Sequence, residues 1–183
     1  MGFELNGFQA TIRSSVSLSG IGVHGGNAVS MQFHPADPDT GIVFQRTGNN
    51  GASRDIRALV SEVGSTDLCT VLGDPSGLHV GTVEHLMATI TGLGIDNLVI
   101  EIDGGEVPIL DGSARLIVEA LDQAGLDIQD QKRRFIRVLK PVRIEAGGSW
   151  AEFRPYGGTR FEVEIDFESP AIGRQAFAAD ITP

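Results

Sequence analysis

Polar and apolar residues alternate over positions 9–18 and again over 28–34, the period-two pattern of half-buried strands. Between them lies Gly20-Ile21-Gly22-Val23-His24-Gly25-Gly26, too rich in glycine for strand or helix, so the pattern predicts a β-hairpin with a long loop. The turn Pro35-Ala36-Asp37-Pro38-Asp39-Thr40-Gly41 precedes another short strand, Ile42 to Gln45. Over Asp55 to Val63 two patterns overlap. Ile56, Leu59, Val60 and Val63 have helical spacing, while β-branched residues and nearby glycines favour strands, and both readings stay open.

Beyond residue 82 the period lengthens. Thr82 is placed to cap a helix in which Glu84, Leu86, Met87, Ile90 and Leu93 follow, until Gly92 and Gly94 stop it. Asn97 to Ile102 is apolar and β-branched, a buried strand. A second helix is predicted from Ser113 to just before Gly125, with Ile117, Val118, Ala120, Leu121 and Ala124 turned to a sheet. Residues 127–134 are polar, carry Lys132-Arg133-Arg134, and read as a linker.

After the linker the opening pattern returns. Ile12-Arg13 is echoed by Ile136-Arg137, Val16 and Leu18 by Val142 and Ile144, Gly25-Gly26 by Gly147-Gly148, and Phe33-His34-Pro35 by Phe153-Arg154-Pro155. The offset shrinks from 124 residues at the isoleucines to 120 at the prolines, as a shorter loop in the second copy would produce. An internal duplication of an α+β unit is the expectation, with chance similarity of two hairpins as the alternative. The first copy, 1–128, reads as complete. The second, 129–183, has only 28 residues after Pro155 and reads as strands alone, an unfinished copy without the two helices.

Composition narrows the partners. A formal charge of −10 over 183 residues argues against nucleic acid or an anionic membrane surface, because both would repel the chain at long range. No apolar run is long enough to span a membrane, and Met1-Gly2-Phe3-Glu4-Leu5 lacks a basic region followed by an apolar one. The single cysteine, Cys69, excludes an internal disulfide and fits a reducing, cytoplasmic setting. Hydrophobic residues make up 41% of the chain, enough for a core.

The candidate chemistry is the Glu84-His85 pair in the first turn of the first helix. A carboxylate moves a proton and an imidazole holds a metal, the needs of a zinc hydrolase, but the same pair also fits a dipole-favoured acid beside a half-exposed ring. The positive helix end favours neutral imidazole, the form that binds zinc. His24 sits in the glycine-rich loop as either a ligand contact or part of a tight turn, and His34 and His79 read as surface or packing residues. Asp111-Gly112-Ser113-Ala114 reads as capping and turn chemistry. Walker loops, nucleophile elbows, dinucleotide fingerprints and paired Cys-x-x-Cys motifs are absent from the sequence.

Six blocks carry a resemblance: Gly20-Ile-Gly-Val-His24, Asp67-Leu-Cys-Thr70, Thr82-Val-Glu-His-Leu86, Gly92-Leu-Gly-Ile-Asp-Asn97, Val107-Pro-Ile-Leu-Asp-Gly-Ser-Ala114 and Trp150-Ala-Glu-Phe-Arg-Pro-Tyr156. In this order they resemble the zinc-dependent UDP-3-O-acyl-N-acetylglucosamine deacetylases of lipid A (lipopolysaccharide) biosynthesis in Gram-negative bacteria, from about residue 9 to about 172. The resemblance implies two α+β domains of the ribosomal protein S5 domain 2-like type with the active site between them. It implies Glu84 as general base and His85 as a ligand to Zn2+, with Val23, His24, Leu68 and Cys69 as neighbours of the substrate, a UDP-sugar glycolipid. Hydrolysis of the N-acetyl group would release acetate and a free glucosamine amine. The family completes its zinc site with a His and an Asp from a His-Lys-x-x-x-Asp helix of the second domain and uses a further His as an electrostatic or acid partner, none of which the 183 residues contain. Two readings follow. The chain is the N-terminal portion of such a deacetylase, or a non-catalytic binding or regulatory derivative contacting the glycolipid precursor or another protein of the pathway.

Overall fold

The computed structural model describes residues 7–48 and 51–181. The opening segment Met1 to Leu5, read above as lacking a leader pattern, lies outside the described residues. In chain order the elements are β1 (Phe8–Ile12), β2 (Val16–Ile21), β3 (Ala28–Pro35), β4 (Ile42–Thr47), β5 (Ser53–Arg57), β6 (Val63–Ser65), β7 (Val71–Gly73), β8 (His79–Val80), α1 (Glu84–Gly92), β9 (Leu98–Ile102), α2 (Arg115–Ala124), β10 (Leu126–Lys132), β11 (Val142–Ala146), β12 (Ser149–Phe153), β13 (Thr159–Asp166) and β14 (Arg174–Ile181). Sheets with few helices make the architecture mixed, in keeping with α+β. None of the described helices is long and apolar enough to cross a membrane.

Contacts divide the chain into two compact units, one ending at Arg133 and the other running on from Arg134. The first is built on a five-stranded sheet in the order β2-β3-β9-β4-β5, antiparallel except for the β4–β9 pair. The alternation of β3 puts Val29, Met31 and Phe33 into the core and leaves Ala28, Ser30 and Gln32 outside. On the central strand β9, Leu98, Ile100 and Ile102 face the same way, while Glu101 is exposed.

α1 presents Leu86, Thr89 and Ile90, three and four residues apart, as its buried face. Full burial of Leu86 and Ile90 contributes roughly 1.5–3 kcal/mol each. α2 buries Ile117, Ala120, Leu121 and Ala124, and its C-cap Gly125 has φ of 69°, where glycine avoids the Cβ penalty. Leu86, Ile90, Ile117, Leu121 and Ala124 join the sheet in one hydrophobic cluster. A small sheet, β6-β7-β8, completes the unit.

Four expectations are corrected. Residues 9–18 are not one strand: the chain breaks between β1 and β2, and β1 pairs with β10. Gly20 and Ile21 extend β2, pairing with Val29 and Ala28, so the loop is shorter than its glycines suggest. The linker expected over 127–134 is largely the strand β10, and Arg133 closes an ion pair on Asp96 with Nε 2.8 Å from Oδ1. Finally, Thr82 does not cap α1. Val83 is the N-cap residue and no side chain bonds the helix end, because the Thr82 hydroxyl is engaged elsewhere. The segment left open over Asp55 to Val63 is mostly extended, with one 3-10 turn at Val60–Glu62.

The second unit consists of two antiparallel hairpins, β11–β12 and β13–β14. Arg143 lies over the Trp150 ring, 4.2 Å from its centroid. None of the described residues from 134 onward is buried.

Candidate active site

A cavity of about 520 Å³ opens in the first unit. It is lined by Gly22, His24, Gly25 and Asn27 of the β2–β3 loop, by Asp67, Leu68 and Cys69, and by Gly81, Thr82, Gly104, Gly105 and Glu106. Glycine at 22 lets the loop approach closely, since a Cβ there would lie 2.4 Å from Glu106 Oε2 and displace it. Leu68 has φ of 60°, an uncommon conformation for a branched side chain, and is 92% exposed.

Of the residues singled out in the sequence, His24, Leu68 and Cys69 line this cavity, and Val23, Glu84 and His85 do not. Val23 is exposed in the loop. Glu84 is half-buried in the first turn of α1, where its Oε2 accepts a hydrogen bond from the Thr70 backbone N–H at 3.1 Å. The carboxylate is thereby tied to the residue following Cys69 on the cavity wall. His85 is exposed, and its carbonyl accepts a bond from the Thr89 hydroxyl, 2.8 Å away. His79 also reaches the cavity, with Nδ1 3.0 Å from the Gly77 carbonyl.

Sequence reasoning missed Glu106. Its Oε1 accepts from the His24 N–H at 3.0 Å and the Thr82 hydroxyl at 2.8 Å, and its Oε2 accepts from the Gly25 N–H at 3.0 Å. Burial raises the pKa of this carboxyl, but the bonds from Gly25, His24 and Thr82, with the nearby His24 charge, outweigh that and hold it below the usual carboxylate range. The only sequence signal was its position after Gly104-Gly105, where the chain leaves the central strand.

Zinc requires about four ligands, commonly His, Cys or carboxylate side chains converging on one point. No three such side chains converge among the described residues. The pair offers one imidazole, His85, and a carboxylate already engaged by Thr70. The residues present therefore do not by themselves make a zinc site.

Comparison with known proteins supplies the family. Residues 9–183 match the LpxC family model, described as UDP-3-O-acyl N-acetylglycosamine deacetylase. Proteins named UDP-3-O-acyl-N-acetylglucosamine deacetylase from Brucella ovis and Brucella abortus are 60% identical over 177 residues, which is 97% of this chain and 61% of theirs. A Brucella melitensis protein of the same name is 59% identical over the same length. The chain thus spans about 61% of the length of the curated relatives it matches. With a family match over nearly its whole length and such identity, the chain belongs to the LpxC family of UDP-3-O-acyl-N-acetylglucosamine deacetylases.

Proposed function

We propose that this chain supplies part of the active site of a deacetylase that hydrolyses the N-acetyl group of UDP-3-O-acyl-N-acetylglucosamine, in lipid A biosynthesis. Water adds to the amide carbonyl, the C–N bond breaks, and acetate and the free amine leave. The observation that carries the reading is the bond from Thr70 N–H to Glu84, which holds a half-buried carboxylate at the start of α1 beside the cavity wall. A carboxylate so held is suited to take the proton of an attacking water.

Zinc belongs to the reading with His85 as one ligand, the others coming from residues other than those described. Val23, His24, Leu68 and Cys69 are the neighbours of the UDP-sugar glycolipid. A cytoplasmic location fits the free Cys69. The finer fold reading is a duplicated unit of the ribosomal protein S5 domain 2-like type, divided as 1–128 and 129–183. Register supports it: Val16 pairs with Phe33 in the first unit as Val142 pairs with Phe153 in the second, the residues matched by the sequence echo. The pairing of β10 with β1 out to Lys132 argues for a border a few residues later.

The test is acetate release from the nucleotide sugar by the natural polypeptide that carries this sequence. Glu84→Gln is expected to lower it by about 100-fold or more, and His85→Ala to lower the bound zinc measured by elemental analysis. Undiminished turnover in the Glu84 variant overturns the role. Binding of the nucleotide sugar without acetate release by the unaltered protein favours the non-catalytic derivative.

A further inference from the structure

We propose that Glu106 is the positioning residue of the cavity, its carboxylate tying the loop at His24 and Gly25 to Thr82, two residues ahead of Glu84. What the cavity holds rests on the deacetylase reading; the tie itself does not. Three donors from two separate segments converge on this carboxylate: the His24 and Gly25 amides from the β2–β3 loop, and the Thr82 hydroxyl from the approach to α1. The backbone reinforces the second attachment, since Gly81 N–H donates to the Gly105 carbonyl at 2.9 Å and Val107 N–H to the Gly81 carbonyl at 3.0 Å.

Two local departures from ordinary geometry fit this role. Thr82 has φ of 56°, a conformation that a β-branched residue adopts only when its surroundings impose it. With the carboxylate placed as it is, a Cβ at residue 22 would lie 2.4 Å from Oε2 and push Glu106 aside, so the loop closes directly onto Glu106. The chemistry at residue 106 is also restricted. A carboxylate only accepts, whereas the amide of glutamine would turn its own donors toward N–H groups. Aspartate, one methylene shorter, would not span both segments. With Glu106 in place His24 is held at the cavity wall by its own backbone N–H.

The test combines amide hydrogen exchange with steady-state kinetics on the intact natural protein. In Glu106→Gln the His24 and Gly25 amides are expected to exchange at least about tenfold faster, with β9 and α2 unchanged, and KM to rise by more than kcat falls. A merely stabilising residue would lower the melting temperature without selecting the loop or splitting KM from kcat. Thr82→Val should speed exchange in the same loop and Thr82→Ser, which keeps the hydroxyl, should restore it. Wild-type exchange rates in Glu106→Gln, or in Thr82→Val where the first variant does not fold, overturn the proposal. So does a freed loop with unchanged KM. If the unaltered protein releases no acetate, the deacetylase reading fails, and loop exchange alone then decides for or against the tie.

Discussion

Two hairpins in this molecule have the same register and opposite fates. In the first unit Val16 faces Phe33 across β2 and β3, and Phe33 is 0% exposed; in the second Val142 faces Phe153 across β11 and β12, and Phe153 is 69% exposed. Strand pairing is local, since alternation and a glycine-bearing turn suffice to bring both hairpins together. Burial is not local. The first hairpin is covered because α1, α2 and β9 add Leu86, Ile90, Ile117, Leu121 and Ile100 to the same cluster, whereas within the second unit none of the described residues is buried. Equivalent strand chemistry therefore yields a core only where helices return to the sheet.

The largest effect that would test this contrast is truncation of the two phenylalanines. Phe33→Ala should cost about 3–5 kcal/mol, because it removes a fully buried ring and leaves a cavity. Phe153→Ala should stay within about 0.5 kcal/mol, as an exposed substitution does. Urea denaturation of the two variants checks both values. A comparable loss in each would mean that the face of β12 is covered in solution, and the contrast would collapse.

An intermediate effect is expected from the arginines. The Arg133 side chain is 15% exposed and the Asp96 side chain 24%, and Arg133 also donates to the Gly94 carbonyl at 2.6 Å. Arg133→Ala removes these bonds from a partly buried carboxylate that also receives the Ala10 N–H, a loss of about 1–3 kcal/mol. Arg143 in the second unit has three partners, Glu145, Glu152 and the Trp150 ring, but its side chain is 43% exposed. Arg143→Ala should cost no more than about 1 kcal/mol. Equal shifts in the urea midpoint would show that exposure does not separate the two units.

These same residues mark what was legible in the sequence. Period-two alternation gave away β3, the turn that follows it β4, and 3.6-residue periodicity the helices, because each signal is local. The role of β10 was hidden, since its partner β1 lies more than a hundred residues away and the polar run Asp127 to Lys132 carries no local strand signal. The Arg133–Asp96 ion pair and the Asn97–Gln129 bond at 2.7 Å, which tie that region to the segment between α1 and β9, also join residues far apart in the chain. At the site, glycine clustering pointed to the His24 loop, but its anchor, Glu106, is 82 residues away from His24. Thr82 shows the same limit in reverse. A threonine before a helix is ordinarily a cap, and here a carboxylate from another segment takes its hydroxyl.

The smallest effect concerns protonation, and it separates the units by what a carboxylate holds. Glu106 has its pKa lowered from 4.5 in the folded chain, with burial opposing and the Gly25, His24 and Thr82 bonds prevailing. The ionised form is thus favoured by folding, so its contribution is fully present above 4.5 and disappears as pH falls through the lowered folded value. Glu152 in the second unit is also lowered from 4.5, first by the Arg154 hydrogen bond, but its partners are the side chains of Arg154 and Arg143 and no backbone N–H. Neutralising Glu106 should release the His24 and Gly25 amides, while neutralising Glu152 releases no backbone. Hydrogen exchange corrected for intrinsic rates, followed from neutral pH to below 4.5, should therefore show the loop between β2 and β3 losing protection while β11 and β12 show no such step. A step in both hairpins at one pH would point to global acid opening. A loop that keeps its protection below the lowered pKa would mean that its amides are held by something other than the charge on Glu106.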